Sequence, residues 1–392
     1  MMNDSYIGHE IYTISLKDPS EKSKVRSFLG TLGLQYEDDV DYTAVIEKDG
    51  KVIATGSLAG EIIKCVGVSK EMQGEGIFTS IASHLMNKAF EKGLSHLFVF
   101  TTPENGIKFT SLGFKEVAKA EPWVALFEYG KPDVHDYIED MKKKVRDAIT
   151  GKIKNTGTKT PKTPAVKDKD LENKEGMPHP PAALTQEQTP GSVAGIVVNC
   201  NPFTLGHQHL IEKSASENDL VIVFVVSEDR SLFPHDVRFR LVCEGTAHLP
   251  NVAVVDGGKY IISSATFPRY FTRDKEFASA QAHLDVAIFA RYIVPAFNIK
   301  KRYVGEEPYC ETTNLYNQAM KDILIPAGVQ LVVIPRKEYN GIPISASTVR
   351  ASIKKDDWET VSHLVPETTL RFLKTTEARA VIEKIKTSTS RH

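Results

Sequence analysis

The sequence predicts an α/β protein of two unlike halves, an α+β domain on a mainly antiparallel sheet followed by a doubly wound parallel-sheet domain. Three observations predict it. Up to about residue 135 short strand signals alternate with helices around a tight hairpin, whereas from about 193 onward Val/Ile-dense runs are separated by segments of helical period. Between them, residues 142–192 are rich in Lys, Thr, Pro and Gly and nearly free of clustered apolar side chains, too little to offset chain entropy by burial. Third, the second half carries a strand-to-helix turn at each of its ends, "NPFTLGH" and "PISASTVR". The expected boundaries are 1–135, a mostly disordered linker at 136–192 whose first turns, "VHDYIEDMKKKVRDAI", can continue a helix from the first domain, and 193–392. A linker of about 40 residues spans roughly 35 Å, so the halves can meet without being rigidly docked.

Bulk composition narrows the partners. The chain has 392 residues, 49 basic and 50 acidic, and a formal charge of -1, so no global field argues for nucleic acid or an anionic membrane. Its four cysteines, Cys65, Cys200, Cys243 and Cys310, are far apart without a CxxC pair, which suits reduced thiols and gives no metal-ligand set. No apolar run reaches the roughly 18 residues of a spanning helix, and a cytoplasmic protein is expected.

In the first half, "IYTISLK" predicts a strand and "PSEKSKVRSFLGTLGL" an amphipathic helix ending at glycine. "YTAVIEKDGKVIATGSLAG" predicts a hairpin turning at Asp49-Gly50, and "EIIKCVGVSK" another strand. "EMQGEGIFTSIASHLMNKAFEKG" is a glycine-containing loop running into a long helix; "HLFVFTT", "ENGIKFTSLG" and "FKEVAKAEPWVALFEYG" follow as strand, short helix and closing strands.

In the second half, "AGIVVNC", "LVIVFVVSE", "VAVVDGG", "KRYVGEE" and "VQLVVIPR" predict five strands with helical crossovers, and ligands of such sheets bind at the strands' carboxyl ends. After the first strand, Asn201, Pro202, Phe203, Thr204 and Gly206 lead into a helix whose first turn carries His207, where amides and the helix dipole favour an anion. After the last strand, Ser345 or Ser347 caps a helix that carries Thr348 and Arg350. Either turn alone is an ordinary capped helix; at opposite ends of one sheet, their positive ends can converge on one polyphosphate. Gly305 and Glu306 end the fourth strand beside them, and Lys259 and Arg269 in "DGGKYIISSATFPRYF" are candidates to hold a small anion.

The pair "TLGH" and "ISASTVR" resembles the H/TxGH and ISxxxxR motifs of the Rossmann-like nucleotidylyltransferase superfamily. That resemblance implies ATP as substrate, no tightly bound cofactor, Mg²⁺ on the phosphates, and Thr204, His207 and Arg350 stabilising charge at the α-phosphorus. "QGEGIF" resembles the pyrophosphate loop of GNAT acetyltransferases, with Gln73, Gly74 and Gly76 matching and Phe78 departing from a small residue. Phe109 stands where many GNAT members have a tyrosine acid, and a phenyl ring donates no proton. Together with "YIISSATFPRYF" and "VGEEPYC", the two domains look like the citrate lyase ligase family. This implies acetate activation as acetyl-AMP and transfer to the dephospho-CoA-derived thiol of the citrate lyase carrier subunit; a preserved diphosphate loop beside a lost proton donor leads to the expectation that the GNAT-like domain holds that arm. Two other classes stay open on the residues alone: a nucleotidylyltransferase acting on a phosphate ester with a fused GNAT domain, and a non-enzymatic sensor of nucleotide and acyl-CoA; for the first half, a fully active acetyltransferase is the rival to arm binding.

Overall fold

The computed structural model describes residues 10–156, 191–228, 231–263, 275–306 and 311–388. Its first sheet has seven strands, β1 (Ile11–Thr13), β2 (Tyr42–Lys48), β3 (Lys51–Ala59), β4 (Ile62–Val68), β5 (His96–Thr101), β6 (Lys115–Ala120) and β7 (Val124–Gly130), in the order β1-β2-β3-β4-β5-β7-β6. All neighbours are antiparallel except β4 and β5, which run parallel and pair at Ile62 with Phe98 and Ile63 with Val99. The β2–β3 hairpin closes through Asp49 (φ 51°) and Gly50 (φ 75°), the left-handed pair that a two-residue turn needs to match strand twist. Helix α1 (Pro19–Thr31) starts under the Asp18 cap and stops before Gly33 (φ 72°). It buries Val25 and Leu29 on one face of the sheet. Helix α2 (Ile77–Glu91) buries Ile77, Ile81, Leu85 and Ala89 on the other, beside α3 (Pro103–Thr110).

Helix α4 (Val134–Thr156) carries the expected helical first turns on to residue 156, into the stretch expected to be mostly disordered. Val134, Ile138, Met141 and Val145 recur at helical spacing and are all buried, although the surrounding residues are largely charged. Composition averaged over the lysine-rich stretch hides this narrow apolar stripe. The remainder of the expected linker, 157–190, lies outside the described residues.

The second sheet contains β8 (Val193–Val198), β9 (Leu220–Val225), β10 (Val252–Asp256), β11 (Ile299–Gly305) and β12 (Gln330–Ile334), all parallel, in the order β10-β9-β8-β11-β12. The chain winds outward from β8 through β9 to β10, then returns to build β11 and β12 on the other side. The crevice at this reversal lies between the carboxyl ends of β8 and β11. Both faces of the sheet are covered, which is why its strands are apolar at successive positions. Ile196, Val198, Val221, Val223 and Val254 meet α5 (Leu205–Glu217) and α6 (His235–Gly245). On the opposite face Ile222, Phe224, Ala253 and Val255 pack with Ile138, Met141 and Val145 of α4 and with α7 (Lys275–Ile288). Helix α8 (Val294–Phe297) precedes β11, and α9 (Glu311–Leu324) joins β11 to β12. A small hairpin, β13 (Glu338–Tyr339) with β14 (Ile342–Pro343), leads into α10 (Ala346–Lys354). Helices α11 (Trp358–Leu364), α12 (Glu367–Leu373) and α13 (Ala378–Thr387) close the α5–α6 face. Among the described residues, no helix is long and apolar enough to cross a membrane.

The two sheets are docked through a shared core. Ala280, Leu284 and Ile288 of α7 are buried with Phe98, Phe100, Val117 and Leu126 of the first domain. Arg291 Nη1 and Tyr292 Oη donate to the Val117 carbonyl at 2.9 and 3.1 Å. Within this interface Tyr260 donates to the buried Glu128 carboxylate, which also contacts His96 Nε2 at 3.0 Å and accepts from the Val134 amide at 3.2 Å. Burial, then Glu128, pushes the Tyr260 phenol well above its ordinary range, so it remains a donor.

Because Met141 is 1% exposed against the second sheet, Met141→Ala is expected to cost about 2–5 kcal/mol. Urea unfolding of the full chain checks this; a cost below about 0.5 kcal/mol would mean that α4 is dispensable cover.

Candidate functional site

The loop between β8 and α5 is anchored from below. Cys200 turns the chain with φ 54°, and the Asn201–Pro202 peptide is cis. Asn201 is buried and its Oδ1 accepts from the Phe233 amide at 3.0 Å. Phe203 is 0% exposed and fills the space against Gly245, where a Cβ would lie 2.3 Å from its ring. Phe203, expected at the nucleotide, is therefore a packing anchor; its apolar ring is worth more in the core than at a polyanion. Pro202 is likewise buried.

The loop presents His207. Thr204 caps α5, its Oγ1 accepting from the His207 amide at 3.3 Å, while the Thr204 amide donates back to His207 Nδ1 at 3.1 Å. This is a capping box with histidine in the place usually taken by Glu or Gln. Since Nδ1 is an acceptor, the neutral ring carries its hydrogen on Nε2. Burial, and then the nearby Arg336 guanidinium, pull the His207 pKa down to about 4. At neutral pH the ring is an uncharged donor.

The far motif meets the same loop. Ser345 caps α10, accepting from the Thr348 amide at 3.0 Å, and its Oγ lies 2.8 Å from both Ser347 Oγ and Thr348 Oγ1. Arg350 Nη1 donates to the Asn201 carbonyl at 2.5 Å. A Cβ on Gly206 would stand 2.8 Å from the Ile344 carbonyl oxygen, so the close approach that requires glycine is to the other motif's backbone. At the adjoining strand ends, Gly305 and Glu306 are exposed, and Arg336 Nε donates to the Glu306 carbonyl at 2.8 Å. Two helix starts, a neutral imidazole donor and two guanidinium groups thus gather at the crevice, a cradle for a polyanion.

Residues 193–373 match the family described as "Citrate lyase ligase C-terminal domain", and residues 9–114 match "Acetyltransferase (GNAT) family". The chain is 32% identical over 373 residues to the [Citrate [pro-3S]-lyase] ligase of Escherichia coli, covering 93% of this chain and 94% of that one. It is 32% identical over 364 residues to the enzyme of the same name from Klebsiella pneumoniae, covering 91% and 94%. The chain belongs to the citrate lyase ligase family.

Two cradle residues of this family member had little signal in the sequence. Arg336 follows β12 in "VVIPRKE", outside both motifs, and only the topology brings it to His207. Arg238 is 0% exposed beneath the loop, donating to the carbonyls of Phe233, Asn199, Val226 and Glu228 at 2.8–3.0 Å. Its one sequence signal is a cation beside the apolar residues Val237, Leu241 and Val242 of α6.

Lys259, expected to hold an anion, instead pairs with Glu61 of the first domain, so its charge is spent at the domain boundary. Arg269 lies outside the described residues. In the GNAT-like domain, Gln73 and Gly74 are exposed and Gly76 (φ 76°) starts α2 with no side-chain cap, leaving amides open to an anion. Phe109 is buried edge-on to Phe78 and Phe114, with ring centroids 5.0 and 5.5 Å away. Phe78 and Phe109 therefore account for each other. Among the described residues, no group of three or more His, Cys, Asp or Glu is placed to hold a metal.

The lowered His207 pKa makes acid stability depend on this ring. The unfolded chain takes up the proton first, near pH 6.5, so stability is intact above that value and declines as the pH falls towards about 4. The loss attributable to His207 reaches up to about 3 kcal/mol. Urea unfolding at pH 7 and 4.5 is expected to show a smaller decline for His207→Asn than for the parent; equal declines would contradict a desolvated neutral ring.

Proposed function

We propose that the chain is an ATP-dependent ligase that activates acetate as acetyl-AMP and passes the acetyl group to the thiol of the citrate lyase prosthetic group. The observation that carries this reading is the joined cradle, Gly206 against Ile344 and Arg350 on Asn201, in a member of the citrate lyase ligase family. In the first step an acetate oxygen attacks the α-phosphorus of ATP. A new P–O bond forms, the bond to the β-phosphate bridging oxygen breaks, and pyrophosphate leaves. Acetate is already an anion, so no base is needed, and catalysis rests on positioning and charge stabilisation.

His207 donates from Nε2 to a phosphate oxygen, while Arg336, Arg350 and the first amides of α5 and α10 offset the charge that grows on the leaving group. Thr204 fixes the imidazole tautomer, and Ser345, Ser347 and Thr348 offer hydroxyls at the second helix start. Gly305 and Glu306 flank the nucleoside. Mg²⁺ enters with ATP as part of the substrate, held by phosphate oxygens and water, as suits a cation that rarely uses an all-protein cage.

In the second step the thiol sulfur attacks the acetyl carbonyl carbon, the C–O bond to phosphate breaks, and AMP departs. The GNAT-like domain holds the diphosphate of the dephospho-CoA-derived arm at Gln73, Gly74 and Gly76. With phenylalanine at position 109 it positions the arm of the carrier subunit without acetylating it. We place this reaction in the cytoplasm, where ATP is supplied and thiols such as Cys65, Cys200 and Cys243 stay reduced.

Acetate-dependent exchange of pyrophosphate into ATP tests the first step, and His207→Ala is expected to slow it on the order of 10²–10³-fold. Exchange that requires a phosphate ester instead of acetate would replace this reading with a nucleotidylyltransferase. For the arm site, Gly74→Glu combined with Gly76→Glu should weaken acetylation of the carrier thiol at least tenfold while exchange persists; unchanged thiol acetylation would remove the GNAT-like domain from the reaction.

A further inference from the structure

The crevice is electrically divided. The guanidinium groups Arg336 and Arg350 lie on the β11, β12 and α10 side, whereas the carboxyl ends of β9 and β10 carry a different set: Ser227, His235 and Asp256. Ser227 Oγ donates to Asp256 Oδ1, which also accepts from the Gly258 amide at 2.8 Å. His235 Nε2 lies 3.9 Å from the same oxygen, and Phe239, one turn along α6, backs the imidazole with ring centroids 6.0 Å apart. Asp256 and His235 side chains are both partly open to solvent, at 39% and 24%.

This set stands at the edge of the first domain. Three residues after Asp256, Lys259 pairs with Glu61, which directly precedes β4. The intervening backbone is fixed: the Gly257 amide donates to the Val225 carbonyl at 2.7 Å, and its carbonyl accepts from Tyr137 Oη at 2.7 Å. A Cβ on Gly258 (φ 63°) would lie 2.7 Å from the Tyr137 ring. The end of β10 is therefore held directly against the first domain.

We propose that His235, backed by Asp256, is the base that accepts the proton of the incoming thiol; this rests on the ligase reading above. A carboxylate makes this side of the crevice unsuited to acetate or phosphate and suited to an uncharged nucleophile that must lose a proton. An ordinary thiol titrates near pH 8.5 and is mostly protonated at neutral pH. As sulfur bonds to the acetyl carbon, the S–H proton passes to the imidazole and the C–O bond to AMP breaks with its electron pair on the phosphate. Asp256, the charged group facing the ring from β10, stabilises the imidazolium, which then returns its proton to solvent.

The test uses the full chain, with dephospho-CoA as the thiol probe, and measures the two half-reactions separately. For His235→Gln, acetyl transfer at pH 7 is expected to fall about 10²-fold, while acetate-dependent exchange falls less than twofold. The variant's transfer rate should climb as the probe ionises, by about 25-fold between pH 7 and 9 for a thiol titrating near pH 8.5, and level off above that. Asp256→Asn should lose about tenfold with the same recovery. Transfer at the parent rate, a loss that pH does not recover, or equal loss of both half-reactions would overturn the proposal and leave His235 a structural residue of α6. Failure of the parent protein to exchange with acetate would instead defeat the ligase reading itself.

Discussion

The site depends on one close contact, the start of α5 against the backbone that leads into α10. With a Cβ only 2.8 Å from the Ile344 carbonyl oxygen, any residue other than glycine at 206 would push the two apart. The contact sets side by side two helix starts that the chain makes at opposite ends of a domain. Each brings roughly half a positive charge, so bringing them together is unfavourable until an anion binds. Arg350 contributes further positive charge but also bonds the Asn201 carbonyl, tying the second helix to the first loop. A charged imidazole here would add to the repulsion. The low His207 pKa is the local answer, a hydrogen-bond donor without a net charge.

Such a cradle must be held rigid from beneath, because donors and charges stabilise a polyanion best when they are already in place. Arg238 supplies much of that rigidity by gathering carbonyls from the ends of β8 and β9 and the loop before α6. Its burial is tolerable because several donors of the guanidinium are matched. Phe203 and Asn201 complete the foundation, and the conspicuous "NPF" of the loop is thus directed inward. The exposed chemistry is left to His207, backbone amides and the arginines opposite.

Both domains and all five strands of the parallel sheet were legible in the sequence, because apolar periodicity and turn residues are local signals. The motif pair was legible for the same reason. Arg336 was not, since its role comes from strand order, which brings the end of β12 to the start of α5. Lys259 was misread because a lysine at a strand end is equally suited to a substrate anion or to Glu61 of another domain, and only tertiary structure decides. Helix α4 was only partly legible, in its first turns but not in its full extent, for a different reason. Its four buried residues are diluted by lysines that face solvent, so composition reported a linker where periodicity would have reported a helix.

That helix changes the relation between the halves. A flexible tether would leave them to meet by diffusion, at an effective concentration set by linker length. Here α4 leaves the last strand of the first sheet directly, covers β10 of the second, and places Tyr137 on Gly257, while α7 returns the contact on β6 and β7. The end of β10 is thereby fixed relative to both sheets, by Tyr137 on one side and the Lys259–Glu61 pair on the other.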